Sequence, residues 1–268
     1  MIDNSGEKNK IIDIHGHFGE CNNHNKNLND LLMSGNIEVV RERALQNKIV
    51  MTFVSSLKSL MPYGGDVLEG NIDALTESKK YSDIKFWCVY NPRIKESKEQ
   101  VKQLLNEKNM VGIKIHPTFH KYDILDYGDE IFKFALDYKL IILTHSGCET
   151  PPEDVAIFAN KYKKVKIILA HLGNSANGDL SRQVESFKRA KSENLYIDTS
   201  SGCSIYSGLI EWAVDSIGSQ NILFGSDTPL HFTSCQKIRI EHAKLTDKDK
   251  YNIFIGNAER LFDYKLNI

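Results

Sequence analysis

Little in this sequence pairs, spans or repeats, and each absence argues against a class of protein. Five cysteines stand at positions 21, 88, 148, 203 and 235, an odd number with no CxxC among them. That argues against a disulfide framework and for reduced thiols in an intracellular, cytoplasmic protein. No apolar run approaches the ~18 residues that a membrane-spanning helix needs. Met1 to Lys10 is polar and carries acids, so a secretory leader is not expected. Charge of one sign is not in excess: 34 Lys and Arg against 35 Asp and Glu leave a net −1. Such a balance gives no electrostatic footprint for nucleic acid or an anionic membrane. Repeats, low-complexity tracts and a Pro/Gly-rich linker are missing too. Residues 1–268 therefore read as one domain, with neither nucleic acid nor membrane expected as a partner. Homodimerisation stays open, and no stretch marks an interface.

What is present is an alternation. At 41% hydrophobic and 26% charged, with a mean hydropathy of −0.36, the chain has the composition of a folded domain with a sizeable core. Strand-type runs are predicted at 11–15, 49–55, 84–90, 111–115, 140–144, 165–170, 195–198 and 222–225. Charge-rich helical stretches separate them, including 66–81, 95–106, 127–138, 151–162, 178–191 and 205–217. Two or three short helices are expected over 236–266, with Thr246 as an N-cap. Eight strands joined through helices call for parallel pairing. Eight units in a chain near the ~250 residues typical of such folds predict an α/β, distorted (β/α)8 TIM barrel. No GxGxxG follows the first strand, which disfavours a dinucleotide-binding sheet.

The first strand runs into His15-Gly16-His17. In an extended backbone, residues two apart share a face, so the two imidazoles converge with Asp13 below them. Two histidines on one side of a strand end begin a metal site. In a barrel of this kind the chemistry gathers at the C-terminal strand ends. Those ends read His15/His17, Ser55, Asn91, His116, His145, His171, Thr199/Ser200 and Asp227. Five of the nine histidines fall there, on four different strands, whereas His24, His120, His231 and His242 fall in loops or on helices. A carboxylate in a barrel mouth needs a metal or a strong donor, which draws Asp227 into the same group. Lys114 and His116 alternate with Ile113 and Ile115. If the isoleucines pack against helices, Lys114 points inward. There it could anchor a substrate carboxylate, bridge two metals when carboxylated, or pair with Asp13 or a neighbouring carboxylate.

These pieces together resemble the amidohydrolase superfamily, in its amidohydrolase-2 branch of metal-dependent hydrolases, to which aminocarboxymuconate semialdehyde decarboxylase is related. The matching segments are IDIHGH at 12–17, GIKIHP at 112–117, THSG at 144–147, AHLGN at 170–174, IDTSS at 197–201, FGSDTP at 224–229 and GNAERLF at 256–262. The resemblance implies His15, His17, His145 and Asp227 as metal ligands, with Asp227 and His171 as the catalytic pair. Lys114 and His116 are expected to contact substrate. One Zn2+ is the expected cofactor, while Mn2+ and a two-metal site stay open because the lysine is retained. The expected reaction is attack of a metal-activated water on an amide, ester or lactone bond of a small anionic substrate, with His171 hydrogen-bonding the carbonyl. The alternative is a metal-dependent decarboxylase acting on a small unsaturated acid, with Lys114 and an arginine such as Arg93 clamping carboxylates.

Overall fold

The structure is a computed structural model that describes residues 10–147, 149–191 and 193–262. Cys148 and the end of the predicted C-terminal helical stretch, 263–266, lie outside the described residues. Eight parallel strands pair in chain order: β1 (Ile11–Phe18), β2 (Ile49–Ser56), β3 (Ile84–Val89), β4 (Met110–Ile115), β5 (Ile142–Thr144), β6 (Ile167–Leu169), β7 (Leu195–Asp198) and β8 (Ile222–Leu223). Backbone bonds then join the end of β8 to β1, where Ile14 N–H donates to Phe224 O, Asp227 N–H to His15 O and His17 N–H to Thr228 O. These bonds bring the barrel to near closure, as a single-domain (β/α)8 TIM barrel.

Helices cover the outer face. Helices α1 (Leu28–Leu32) and α2 (Ile37–Gln46) link β1 to β2, α3 (Val67–Lys80) follows β2, and α4 (Lys95–Leu104) follows β3. Further on, α5 (Pro117–His120) and α6 (Ile124–Asp137) lead to β5, α7 (Pro152–Lys161) to β6, α8 (Arg182–Arg189) to β7 and α9 (Leu209–Ile217) to β8. Their starts are chemical. Asn36, Asp66 and Asp123 each accept a backbone N–H of the first turn, satisfying donors that a helix cannot pair internally. The Asp123 cap starts α6 three residues before the predicted start at 127. Gly208 (φ +81°) delays α9 relative to its predicted start at 205, and a 3-10 turn, Gly202–Ile205, ends where the helix was expected to begin. After α10 (Thr233–Glu241), Thr246 caps α11 (Asp247–Tyr251) as expected, in a capping box with Asp249.

Two apolar layers result. Ile113, Ile115, Ile142, Ile167, Leu169 and Ile197 pack outward against helix residues such as Val101, Phe132 and Val155. Met51, Phe53, Trp87, Leu143, Ile168 and Leu223 fill the barrel interior. The last segment seals the interior: Phe262 of α12 (Asn257–Phe262) lies edge-on to Phe53 and Trp87, with centroids 4.9 and 5.7 Å away. Asn257 donates to Ser219 O and Ile222 O. That is the physical content of the GNAERLF segment, a plug tied to the foot of β8.

One expectation on β1 is corrected. Ile12 and Ile14 belong to the interior cluster, yet His15 and His17 also reach the cavity, so the alternation slips by one residue. The register against β2 shifts between Asp13 and Gly16, the signature of a bulge, which re-aims side chains. Asp13 therefore does not share the histidines' cavity. Its buried carboxylate accepts from Ser226 N–H and Oγ and from His15 N–H, bracing β1 against β8.

Candidate active site

A cavity of about 90 Å³ opens at the C-terminal end of the barrel. Its polar lining is His15, His17, Lys114, His116, His145, His171 and Asp227, and its apolar side is Leu57, Leu60, Met61, Phe119 and Leu230. The structure thus brings together all seven residues expected at the site. Ile113 and Ile115 pack outward, and Lys114 does point inward.

His15, His17 and Asp227 form the tightest group. Asp227 Oδ1 lies 3.1 Å from His17 Nε2 and 3.5 Å from His15 Nε2. One donor atom from each of the three falls within 4.8 Å of the others, and all three residues are buried. Two imidazoles and a carboxylate are a donor set that suits Zn2+ and related divalent ions. Burial lowers His17 to about 4, against the opposing pull of Asp227. Burial would raise Asp227, but the His17 hydrogen bond and the surrounding histidines hold it well below the usual carboxylate range. Neutral imidazoles and an ionised carboxylate are the protonation states a cation requires. The residues fit the metal.

A second group, His15, His171 and Asp198, meets the same distance condition, but its carboxylate is already occupied. Asp198 Oδ2 accepts from His15 Nδ1 at 2.6 Å, and Oδ1 accepts from His171 N–H, Ser200 N–H and Ser200 Oγ. Both Asp198 oxygens are thus already engaged by the residues around them.

His145 lies beside the group rather than in it. Its ring stacks on His116 (centroids 4.1 Å, 11°) and meets His171 edge-on at 4.9 Å. Burial lowers it to about 3, and its Nδ1 has no hydrogen-bond partner among the described residues. His116 is sandwiched between His145 and Phe119, whose ring centroid is 4.0 Å away, and its Nδ1 accepts Phe119 N–H as the N-cap of α5. The chain directly after His116 is that short helix. Lys114 does not pair with Asp13. Its Nζ donates to His15 Nε2 at 2.8 Å, and burial lowers it to about 8.

Arg93 is exposed and its Nη1 donates to His120 O and Lys121 O, so it does not enter the cavity. His231, read as a loop or helix-surface histidine, has its Nδ1 3.6 Å from Asp227 Oδ2 and 2.9 Å from Ser200 O. Its spacing of four from Asp227 was the one available signal. Ser55, noted only as a strand end, sits with its Oγ 2.9 Å from His17 Nδ1.

The profile of the family described as "Amidohydrolase" matches residues 73–264, well over half of the chain, and leaves His15 and His17 outside the matched span. No curated protein matches. Among solved structures, the chain is similar to an amidohydrolase from Burkholderia multivorans with bound zinc (14% identity, TM-score 0.75, 95% of this chain and 99% of that one). It is also similar to 2,6-dihydroxybenzoate decarboxylase from Rhizobium (14%, 0.72, 95% and 98%). A dihydroxybenzoic acid decarboxylase from Polaromonas with bound manganese is comparable (15%, 0.70, 95% and 97%). At these identities the likeness shows the fold. Among the described residues no helix is long and apolar enough to cross a membrane.

Proposed function

We propose, from the premise that this chain belongs to the amidohydrolase family, that it is a metal-dependent hydrolase cleaving a C–N or C–O bond of a small substrate. The observation that carries this reading is the convergence of His15, His17 and Asp227 beneath a cavity with one polar and one apolar side. A divalent ion there, for which we propose Zn2+ with Mn2+ as the substitute, would polarise a carbonyl and bring the pKa of a water toward ~7.

The chain's own groups supply the rest. Asp227 is held ionised and takes the proton of the attacking water, then returns it to the leaving nitrogen or oxygen. Lys114 offers the one cationic head among the cavity's lining residues to an anionic group of the substrate. His171 and His145 complete the polar side. Leu57, Leu60, Met61, Phe119 and Leu230 exclude water and receive the part of the substrate that does not react. A cavity of this size selects a small substrate.

A decarboxylase remains the second reading. Lys114 opposite an apolar side suits a single carboxylate on a flat ring. The test is a panel on zinc- or manganese-loaded protein: p-nitrophenyl acetate, dihydrocoumarin and 2,6-dihydroxybenzoate. Hydrolysis of the ester or lactone, lost in Asp227→Asn, supports the proposal. CO2 release from the acid without hydrolysis moves the protein to the lyases. Failure to bind either metal removes both readings.

A further inference from the structure

A hydroxyl has one proton, and at Ser200 its destination is fixed by geometry. Ser200 Oγ lies 2.5 Å from Asp198 Oδ1, an oxygen that can only accept while the carboxylate is ionised. The hydroxyl proton therefore goes to Asp198. What else approaches Ser200 Oγ must donate to it. His171 Nδ1 is 2.7 Å from that oxygen, so His171 carries its proton on Nδ1. His15 Nδ1 stands 2.6 Å from Asp198 Oδ2 and 3.1 Å from Ser200 Oγ, two acceptors, so His15 also carries its proton on Nδ1. The far side of His15 agrees: Lys114 Nζ, a donor, lies 2.8 Å from Nε2.

We infer that Asp198 and Ser200 are positioning residues that fix both His15 and His171 as Nδ1–H tautomers, so that each offers an Nε2 lone pair to the cavity. The consequence for His171 is specific. A neutral imidazole whose proton is held on Nδ1 cannot donate to a substrate carbonyl from Nε2; it can accept a proton or ligate a metal. The sequence assigns His171 a donor role toward the carbonyl, and the Ser200 contact reverses that polarity.

The same carboxylate also holds the backbone that aims His171. His171 adopts φ +70°, a left-handed conformation uncommon for a residue other than glycine. Its N–H is tied to Asp198 Oδ1 at 2.9 Å. Asp198 thus fixes where the ring begins, and Ser200 fixes which nitrogen it presents. His17 has no such lock. Its Nδ1 faces both Ser55 Oγ (2.9 Å) and Ser55 O (3.3 Å), one able to donate and the other only to accept, so Nδ1 suits either tautomer, and without a metal Asp227 Oδ1, an acceptor 3.1 Å from Nε2, draws the proton to Nε2.

The inference rests on reading this cavity as the active site, but its test does not require a known substrate. Two-bond 1H–15N correlation spectra of 15N-histidine-labelled, metal-free full-length protein report the tautomer of each ring, with His171→Gln and His15→Gln used to assign the signals. Both rings are expected as Nδ1–H in the wild type. In Ser200→Ala, His171 loses the fixed tautomer while His15, still bonded to Asp198, keeps it; Ser200→Thr, which retains the hydroxyl, restores His171. Zn2+ affinity measured by chelator competition should fall ~10- to 100-fold in Asp198→Asn, which removes the carboxylate that holds His15, the range typical of lost ligand support. An Nε2–H signal for His171 in the wild type, or an unchanged signal in Ser200→Ala, overturns the inference. Loss of catalysis across the substrate panel with the tautomers as stated would instead count against the proposed reaction alone. Should Asp198→Asn fail to fold, the two Ser200 variants still decide the question.

Discussion

Lys114 Nζ stands 2.8 Å from His15 Nε2, the one ring nitrogen that His15 has left once Asp198 takes the other. A positive head therefore sits against a nitrogen that a metal ion would use. Two like unit charges ~4 Å apart repel by ~4 kcal/mol even at an effective dielectric of ~20. Lys114→Met should accordingly tighten Zn2+ binding at neutral pH by at least ~10-fold in a chelator competition, while raising KM for anionic substrates more than neutral ones. Weaker binding in that variant, with the metal content of the wild type near two equivalents, would make Lys114 part of the ligand set instead.

Gly225, two residues past the end of β8, packs tightly against β1 and the end of β7. A Cβ there would lie 2.9 Å from His15 Cβ, 3.2 Å from Ser200 Cβ and 3.3 Å from Asp198 Cγ. Overpacking of this kind costs ~1–3 kcal/mol, and the atoms that must yield belong to His15, a candidate ligand, and to Ser200 and Asp198 beside it. Gly225→Ala is expected to lose stability in that range by urea unfolding and to lose Zn2+ affinity at least ~10-fold. Reduced stability with wild-type affinity would show that the strain is relieved away from His15.

The residues that reach the cavity were legible because a barrel delivers chemistry at strand ends. His15, His17, Lys114, His116, His145, His171 and Asp227 each end or follow a hydrophobic strand. Their order around the barrel follows from chain order alone. What holds them was not legible. Asp198 reads as the last residue of a strand, and only the parallel pairing of β6, β7 and β8 places it between His15 and His171, which lie 183 and 27 residues away. The slip on β1 was hidden too, since strict alternation gives Asp13 and His15 the same face; a bulge is set by how β1 meets β2, not by local propensity. His231 offers only its spacing of four from Asp227, and it reaches that residue because the chain turns directly after β8.

His120 gives a pH prediction away from the candidate ligands. It is largely buried, donates Nε2–H to Ser59 O at 3.1 Å, and burial lowers it from 6.5 to about 4. The unfolded chain therefore binds this proton more readily than the folded one between those values. Stability contributed by the neutral ring is present above pH ~6.5 and lost as pH falls toward ~4, by up to ~3 kcal/mol at ~1.4 kcal/mol per pH unit. Urea unfolding of the wild type and His120→Gln in chelator, at several pH values across that window, should show a shallower acid loss in the variant. Parallel profiles would remove His120 from the acid response.

Asp227 carries the heaviest chemical assignment, and its backbone allows a clean substitution. The residue sits at φ +58°, in the left-handed region that asparagine tolerates about as well as aspartate. Asp227→Asn should keep the turn, the bond from its N–H to His15 O and the far-UV circular dichroism of the wild type. The carboxamide, however, cannot take a proton from water or return it to a leaving group. Turnover is expected to fall by ~10²–10⁴, the usual contribution of a general base, at Zn2+ concentrations that saturate the variant's weakened site. Saturation matters because the same oxygen is a candidate ligand: a loss that added zinc repairs would leave Asp227 holding the metal only. A loss that persists at full occupancy assigns it the proton as well, and near-normal turnover at full occupancy takes it out of the mechanism.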